Sequence, residues 1–338
     1  MKQIKTSEAV GHILCHDLTQ IIKDEYKGAR FKKGHVVTEE DIPILLSMGK
    51  ENLYVWEYKE GMLHENDAAL RLSKICENDN MARSDVNEGK IELNAEIDGL
   101  FLVDTERLNN INAIDEIMIA TRHSNTVVKK GDKLCGTRVI PLIINEDKVS
   151  KAEQIYNNEP ILKLLPFTLK TAGIITTGSE VYNGIIEDKF TPVLIDKLKA
   201  FSITVTEHII VNDNIENIKN AISTMRSKGV ELILCTGGMS VDPDDNTPGA
   251  IKQSGADIIT YGAPVLPGAM FLLGYFNDTP IVGLPGCVMY ANTTVFDLTL
   301  PKLAAKVKIT KEDFIKMGEG GLCLNCEVCT YPKCPFGK

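Results

Sequence analysis

Between residues 170 and 305, short apolar and β-branched runs alternate with stretches whose apolar residues return every three or four positions. That rhythm restricts the fold more than any other feature of the chain. Strands and helices in strict alternation form a mostly parallel sheet with helices on its faces, a doubly wound α/β domain. Residues 172–176 read as the first strand, followed by a helix carrying Val193, Leu194, Leu198 and Phe201. Residues 203–211 are β-branched and read as a second strand. Ile215, Ile218, Ile222 and Met225 mark an amphipathic helix. Residues 231–235 read as a buried strand ending in Gly237-Gly238. Runs at 258–261, 271–275 and 280–283 complete the sheet, and a helix over 288–304 closes it.

At about 100–200 residues per domain, 338 residues hold two or three domains. Residues 1–60 read as a β-rich module. A turn at Phe31-Lys32-Lys33-Gly34 precedes a helix with Thr38 as N-cap and Ile42, Leu45, Leu46 and Met48 on its apolar face. Gly49 caps its C-terminus and a strand follows at 53–56. Residues 61–165 read as a mixed α+β module and linker. His64-Glu65-Asn66-Asp67 is either a capped helix start or a ligand-contacting loop, and a helix follows over 67–77. A strand at 100–103, a helix at 111–121 and a strand at 138–144 come next, then a linker or connecting helix at 148–160. The α/β domain is expected over 166–306 and a cysteine-rich, metal-binding tail over 307–338.

The formal net charge of −9 argues against nucleic acid and anionic membrane surfaces as partners. No apolar run follows a basic start as in a signal peptide, and none reaches the roughly 20 residues of a membrane span. A cytoplasmic protein is expected.

Ligands of open α/β sheets bind beyond the C-terminal strand ends, and two loops are expected there. The first holds Thr176, Thr177, Gly178, Ser179, Glu180 and Val181 and continues through Gly184 to Glu187 and Asp188. Its glycine and hydroxyl residues suit close backbone approach to a phosphate. Asp188 stands just before a helix, where it either caps that helix or faces a ligand. The second loop holds Thr236, Gly237, Gly238, Met239 and Ser240, then Asp242, Asp244, Asp245 and Thr247-Pro248. Carboxylates beside a phosphate site commonly hold Mg²⁺. Thr247 and Pro248 read as N-cap and first residue of a helix.

In this order and spacing the two loops resemble the molybdenum cofactor biosynthesis domain shared by molybdopterin adenylyltransferase, molybdopterin molybdenumtransferase (the molybdenum insertase) and CinA-type proteins. The resemblance covers about residues 170–305. It implies a molybdopterin ligand, with Glu180 near the pterin-nucleotide phosphates and Asp245 as the functional aspartate of the second loop. Glu180, Asp188 and Asp245 would hold Mg²⁺ and phosphate. Thr177, Gly178, Ser179, Gly237, Gly238, Ser240, Asp244 and Thr247 would line the ligand. The segment around Pro267-Gly268 and the turn at Pro285-Gly286 resemble insertase segments and extend the binding set. A homodimer is expected from the resemblance alone.

The chain departs from the insertase pattern in three places. Leu266 and Ala269 stand where insertases flank the Pro-Gly with lysines, removing charge-assisted oxyanion contacts of about 1.5–3 kcal/mol each. Cys287-Val288 replaces the Asn-Pro that ends the insertase turn. The insertase C-terminal β-domain is missing, and a cysteine tail stands in its place. Three functions follow: an insertase that binds adenylylated molybdopterin and releases AMP as molybdenum enters, a non-catalytic carrier that delivers molybdopterin to a molybdenum enzyme, or a CinA-like nucleotide hydrolase.

Four of the nine cysteines fall in the last 16 residues, as Cys323, Cys326, Cys329 and Cys334 followed by Pro335. The spacing C-x2-C-x2-C-x4-C-P is one residue longer at its last gap than a ferredoxin-type run. An iron–sulfur cluster or Zn²⁺ is expected there, with Gly318, Gly320 and Gly321 as a hinge. The alternative is a disordered thiol-rich tail. Through this tail the protein would dock on a molybdenum enzyme or a sulfur donor.

Overall fold

The structure is a computed structural model and describes residues 2–22, 26–55, 60–240, 242 and 245–338. The chain divides into two compact units, residues 1–164 and 165–338.

The first unit is built from small sheets. Strand Lys2–Lys5 pairs antiparallel with Asn52–Val55, and Leu18–Ile22 pairs antiparallel with Tyr26–Phe31. The helix of this region spans Asp41–Ser47 and begins later than its sequence suggests. Thr38 and Asp41 instead form a turn ahead of it, with Asp41 Oδ2 accepting from the Thr38 amide and hydroxyl at 2.8 Å. Gly49 follows the helix at φ +74°, a left-handed position that suits glycine. Trp56, expected to end the next strand, lies outside the described residues. A four-stranded antiparallel sheet takes Met81–Arg83, Lys90–Ala95, Lys133–Val139 and Ile117–Thr121 in that order.

That last strand corrects the expected helix at 111–121. The helix is Thr105–Asn112, capped by Asp104, and Ile117 and Ile119 then alternate inward against exposed neighbours. A period of two governs the segment, because it pairs along residues 135–139. The segment at 148–160 takes the helical of its two readings, as Glu146–Tyr156. Helix Glu65–Cys76 starts at a cap supplied by His64, whose Nδ1 accepts from the Asn66 amide.

The second unit is a mixed α/β layer structure, labelled here in its own order. Its strands are β1 (Thr171–Thr177), β2 (Thr204–Val211), β3 (Ile233–Thr236), β4 (Asp257–Tyr261), β5 (Leu272–Phe276) and β6 (Thr279–Leu284). They lie in the order β2-β1-β3-β6-β5-β4. Neighbours β2, β1, β3 and β6 pair in parallel, while β5 runs against both β6 and β4. The helices are α1 (Ser179–Tyr182), α2 (Phe190–Lys199), α3 (Ile215–Ser227), α4 (Thr247–Gln253), α5 (Val295–Ala304) and α6 (Lys311–Lys316).

Period-two alternation sends the side chains of one strand to two cores. Ile174, Leu234 and Val282 pack with Leu194 and Leu198 of α2 and with Phe296 and Leu300 of α5. Ile175, Ile233, Cys235 and Ile281 pack on the other face with Ile218, Ile222 and Met225 of α3 and with Ile251 of α4. The closing helix starts at Val295, not at 288, because Thr294 and Asp297 form a capping box there. Residues 286–289 form a separate 3-10 turn. Helix α6, also begun by a capping box (Thr310 and Asp313), lies within what the sequence presents as tail. Among the described residues no helix is long and apolar enough to cross a membrane.

Candidate functional site

Strand direction decides which loops meet. The C-terminal ends of β1, β2, β3, β4 and β6 and the N-terminal end of β5 share one edge of the sheet. The loops beginning at Gly178 and Gly237, the segment 262–271 and the turn at Pro285-Gly286 therefore open on the same edge. This is the edge at which ligands of open α/β sheets bind.

The first two loops are locked together at their bases. Thr177 Oγ1 donates to the Thr236 carbonyl at 3.0 Å, and the Thr177 and Thr247 hydroxyls lie 3.1 Å apart. Thr247 Oγ1 donates to the Gly237 carbonyl at 2.9 Å. Thr247 is fully buried and is the first helical residue of α4, with Asn246 in the cap position the sequence assigned to Thr247. Its hydroxyl makes no cap bond and instead closes its own loop on Gly237 and meets the Thr177 hydroxyl of the neighbouring loop. Gly237 and Gly238 both have left-handed φ, +82° and +55°. A Cβ on Gly238 would stand 2.8 Å from Thr247 Oγ1, so the packing requires glycine there as well.

Ser179 opens α1, and its amide and hydroxyl both donate to Asp213 Oδ2, at 2.8 and 2.9 Å. The Asp213 carbonyl in turn accepts from Asn246 Nδ2 at 2.9 Å. Asp213 and Asn246 thus tie the loops after β1, β2 and β3 into one frame. Neither residue carries a role in the sequence motifs, since each acts only through contacts between loops. Glu180 and Ser240 are exposed at this edge. Asp245 closes a turn on Asp242, accepting from its amide at 3.2 Å and donating its own amide to the Asp242 carbonyl at 2.9 Å. Tyr261 donates its hydroxyl toward the Met239 carbonyl at 3.2 Å. Burial first, and the nearby Asp245 carboxylate second, raise the pKa of that phenol. Asp244 lies outside the described residues.

Asp188 has a structural position. Its Oδ1 accepts from the Phe190 and Thr191 amides at 2.9 and 3.0 Å. Its Oδ2 accepts from the Thr191 and Thr176 hydroxyls at 2.6 and 2.9 Å. His208 Nε2 lies 3.3 Å from the same oxygen. His208 comes from β2 and carries no motif, so only the topology reveals it. The Asp188 carboxylate is saturated with donors, and it joins no metal-holding group with Glu180 and Asp245. Among the described residues no set of three or more His, Cys, Asp or Glu side chains is placed to hold a metal ion. The four tail cysteines are included in that finding: Cys326 and Cys329 are exposed, while Cys323 and Cys334 turn toward the apolar core.

Burial works to raise the Asp188 pKa, but the hydrogen bonds outweigh it and hold the group below the usual carboxylate range. A depressed folded value means the stabilisation is present above the unfolded value of about 3.9 and is lost as pH falls through the folded one. Asp188→Asn should therefore cost about 1–2 kcal/mol at neutral pH, in line with loss of a helix cap. The gap to wild type should close as the medium is acidified below the unfolded value of about 3.9 and through the lower folded one. Urea unfolding across that range checks this, and a gap that stays constant would refute the assignment.

The Pro-Gly segment completes the edge. Leu266-Pro267 is a cis peptide, and the Pro267 carbonyl accepts from the Val295 amide at 3.2 Å. Gly268 has φ +130°, and a Cβ there would meet Val295 Cγ1 at 2.5 Å. Glycine is thus required where this loop crosses the start of α5. Pro285 and Gly286 sit at the end of β6, leading into the 3-10 turn that carries Cys287 and Val288.

A family profile described as "Probable molybdopterin binding domain" matches residues 173–305, and one described as a domain of unknown function matches residues 3–57. A protein of Methanocaldococcus jannaschii, named for molybdopterin biosynthesis, is 30% identical over 145 residues, 38% of this chain and 36% of that protein. A CinA-like protein of Pseudothermotoga lettingae is 38% identical over 86 residues, 25% of this chain and 21% of that protein. The chain therefore matches 36% of the length of the first of these relatives and 21% of the second. The solved molybdopterin biosynthesis enzyme MoaB of Thermus thermophilus is 20% identical, covering 42% of this chain and 99% of its own, with a TM-score of 0.34. The tungsten cofactor synthesizing protein MoaB of Pyrococcus furiosus is 18% identical, covering 41% and 90%, with a TM-score of 0.31. Residues 173–305 of this chain, whose glycine loops meet at one edge of the sheet, match the family described as a probable molybdopterin-binding domain.

Proposed function

We propose that the chain binds molybdopterin, or its adenylylated form, along the edge where the Gly178 and Gly237 loops meet. The observation that carries this reading is the interlock of Thr177, Thr247 and Gly237. It fixes two glycine loops side by side and leaves Glu180, Ser240 and Asp245 at their margin. Mg²⁺ usually takes only one or two carboxylates and completes its shell with water and substrate phosphates. Glu180 and Asp245 suit that role, whereas Asp188 is already occupied by hydrogen-bond donors.

Asp245→Ala is expected to weaken binding of adenylylated molybdopterin about tenfold in the presence of Mg²⁺, the effect of losing one charge-assisted contact of about 1.5 kcal/mol. Equal affinity for both proteins in an equilibrium titration would refute the reading. The same preparation separates three activities. Molybdate-dependent AMP release identifies an insertase that works without lysines at Leu266 and Ala269. Tight binding without AMP release identifies a carrier that hands the cofactor to a molybdenum enzyme. Hydrolysis of a nucleotide diphosphate substrate identifies the CinA-like alternative, which the 38% identity to a CinA-like protein favours.

A further inference from the structure

The cysteine tail is anchored to the second unit at both ends. At its start, the Leu266 amide donates to the Gly321 carbonyl and the Cys323 amide donates to the Leu266 carbonyl, both at 2.8 Å. At its finish, Phe336 is 4% exposed within the same core as Phe296 and Leu300. The Tyr331 hydroxyl donates to the Asp297 carbonyl at 3.3 Å, and the Gly337 amide donates to the Gly320 carbonyl at 3.0 Å. Between these anchors the chain wraps a cavity of about 670 Å³. Cys323, Cys326, Cys329 and Cys334 all line it, with Leu266 and Tyr331 among the other walls.

We propose that this cavity binds one iron–sulfur cluster, ligated by Cys323, Cys326, Cys329 and Cys334. Three observations carry the assignment. The donors are four thiols, the ligand set that [4Fe–4S] clusters use. Cys323, Cys326 and Cys329 come from one loop at two-residue gaps, while Cys334, followed by Pro335, reaches the same cavity from beyond Tyr331. Lastly, all four residues line one cavity, while among the described residues no three such groups are placed to hold a single metal ion. Zn²⁺ would need every sulfur drawn to about 2.3 Å from a single point. A multi-iron cluster places its iron atoms apart and meets thiols that stand around a wide cavity. Each iron–thiolate bond releases one thiol proton to solvent, and assembly from ferric iron and sulfide takes up two electrons per cluster, which an added thiol reductant supplies on becoming a disulfide. The assignment is independent of what the glycine loops bind.

The test uses the full chain, isolated without oxygen and incubated with ferric iron, sulfide and a thiol reductant. About four iron and four acid-labile sulfide per chain are expected, with visible absorbance that bleaches on reduction. Cys326 and Cys329 are exposed, so Cys326→Ser and Cys329→Ser should keep the wild-type melting temperature and lose most of the iron. Cys287→Ser, outside the cavity lining, should retain it. Full iron and sulfide content in the Cys326→Ser/Cys329→Ser double variant would overturn the proposal. So would a wild-type chain that takes up no iron, or one that holds a single zinc in preference to iron when both are supplied.

Discussion

Gly237→Ala is expected to lower unfolding stability by about 3 kcal/mol or more and to abolish pterin binding. Two costs combine. The backbone φ of +82° is one that a side chain rarely adopts. The added Cβ would also stand 2.1 Å from the Thr177 carbonyl oxygen and 3.0 Å from its carbon, which are backbone atoms of a central strand. Relief requires the loops after β1 and β3 to separate, which would break the bonds of Thr177 to Thr236 and Thr247 and pull apart the proposed ligand edge. Gly249 is the internal control, because it sits in helix α4 with open space where its Cβ would go. Gly249→Ala should be neutral or stabilising by up to about 1 kcal/mol. Urea unfolding midpoints with unchanged slopes measure both. The account fails if Gly237→Ala unfolds within about 0.5 kcal/mol of wild type.

Phe271→Ala should cost about 3–5 kcal/mol, the range for emptying a buried aromatic site. Phe271 is fully buried, and its ring lies 5.8 Å from that of Phe314 on α6. Its amide donates to the Gly268 carbonyl at 3.1 Å, and its carbonyl accepts from Gly262 at 2.8 Å. The ring thus holds the Pro-Gly segment on one side and the helix leading into the cysteine tail on the other. Phe271→Leu keeps much of the apolar volume and should recover more than half of the loss. If thermal and urea unfolding place Phe271→Ala no lower than Phe271→Leu, the ring does not have the role given to it.

The sequence was most legible where period and glycine coincide. Ile218, Ile222 and Met225 repeat at helical spacing and do line one core, and the strands ending at Thr177 and Thr236 do deliver glycines to one edge. Short segments were read poorly. Residues 117–121 carry apolar residues that fit a helix or a strand, and only pairing with residues 135–139 decides. Helix α5 starts at Val295 and not at the expected 288, because the Thr294–Asp297 capping box sets its start. Site residues that belong to motifs were visible. Asp213, Asn246 and His208 were not, because each acts through contacts between segments more than 30 residues apart. Asp188 was seen but left between two roles, and counting its hydrogen-bond donors assigns it to the helix start.

The pairing of Leu266 with Gly321 and Cys323 has a bearing on modular inheritance. Both polar backbone groups of Leu266 are satisfied by the thiol-bearing strand, not by the sheet that carries the residue. Removing everything after Lys316 would strip Phe336 from the interior and leave the Leu266 amide and carbonyl to find solvent. Loss of this segment would therefore alter the loop around Pro267 as well, and a graft of the thiol segment onto another scaffold would lack these two backbone partners unless that loop travelled with it.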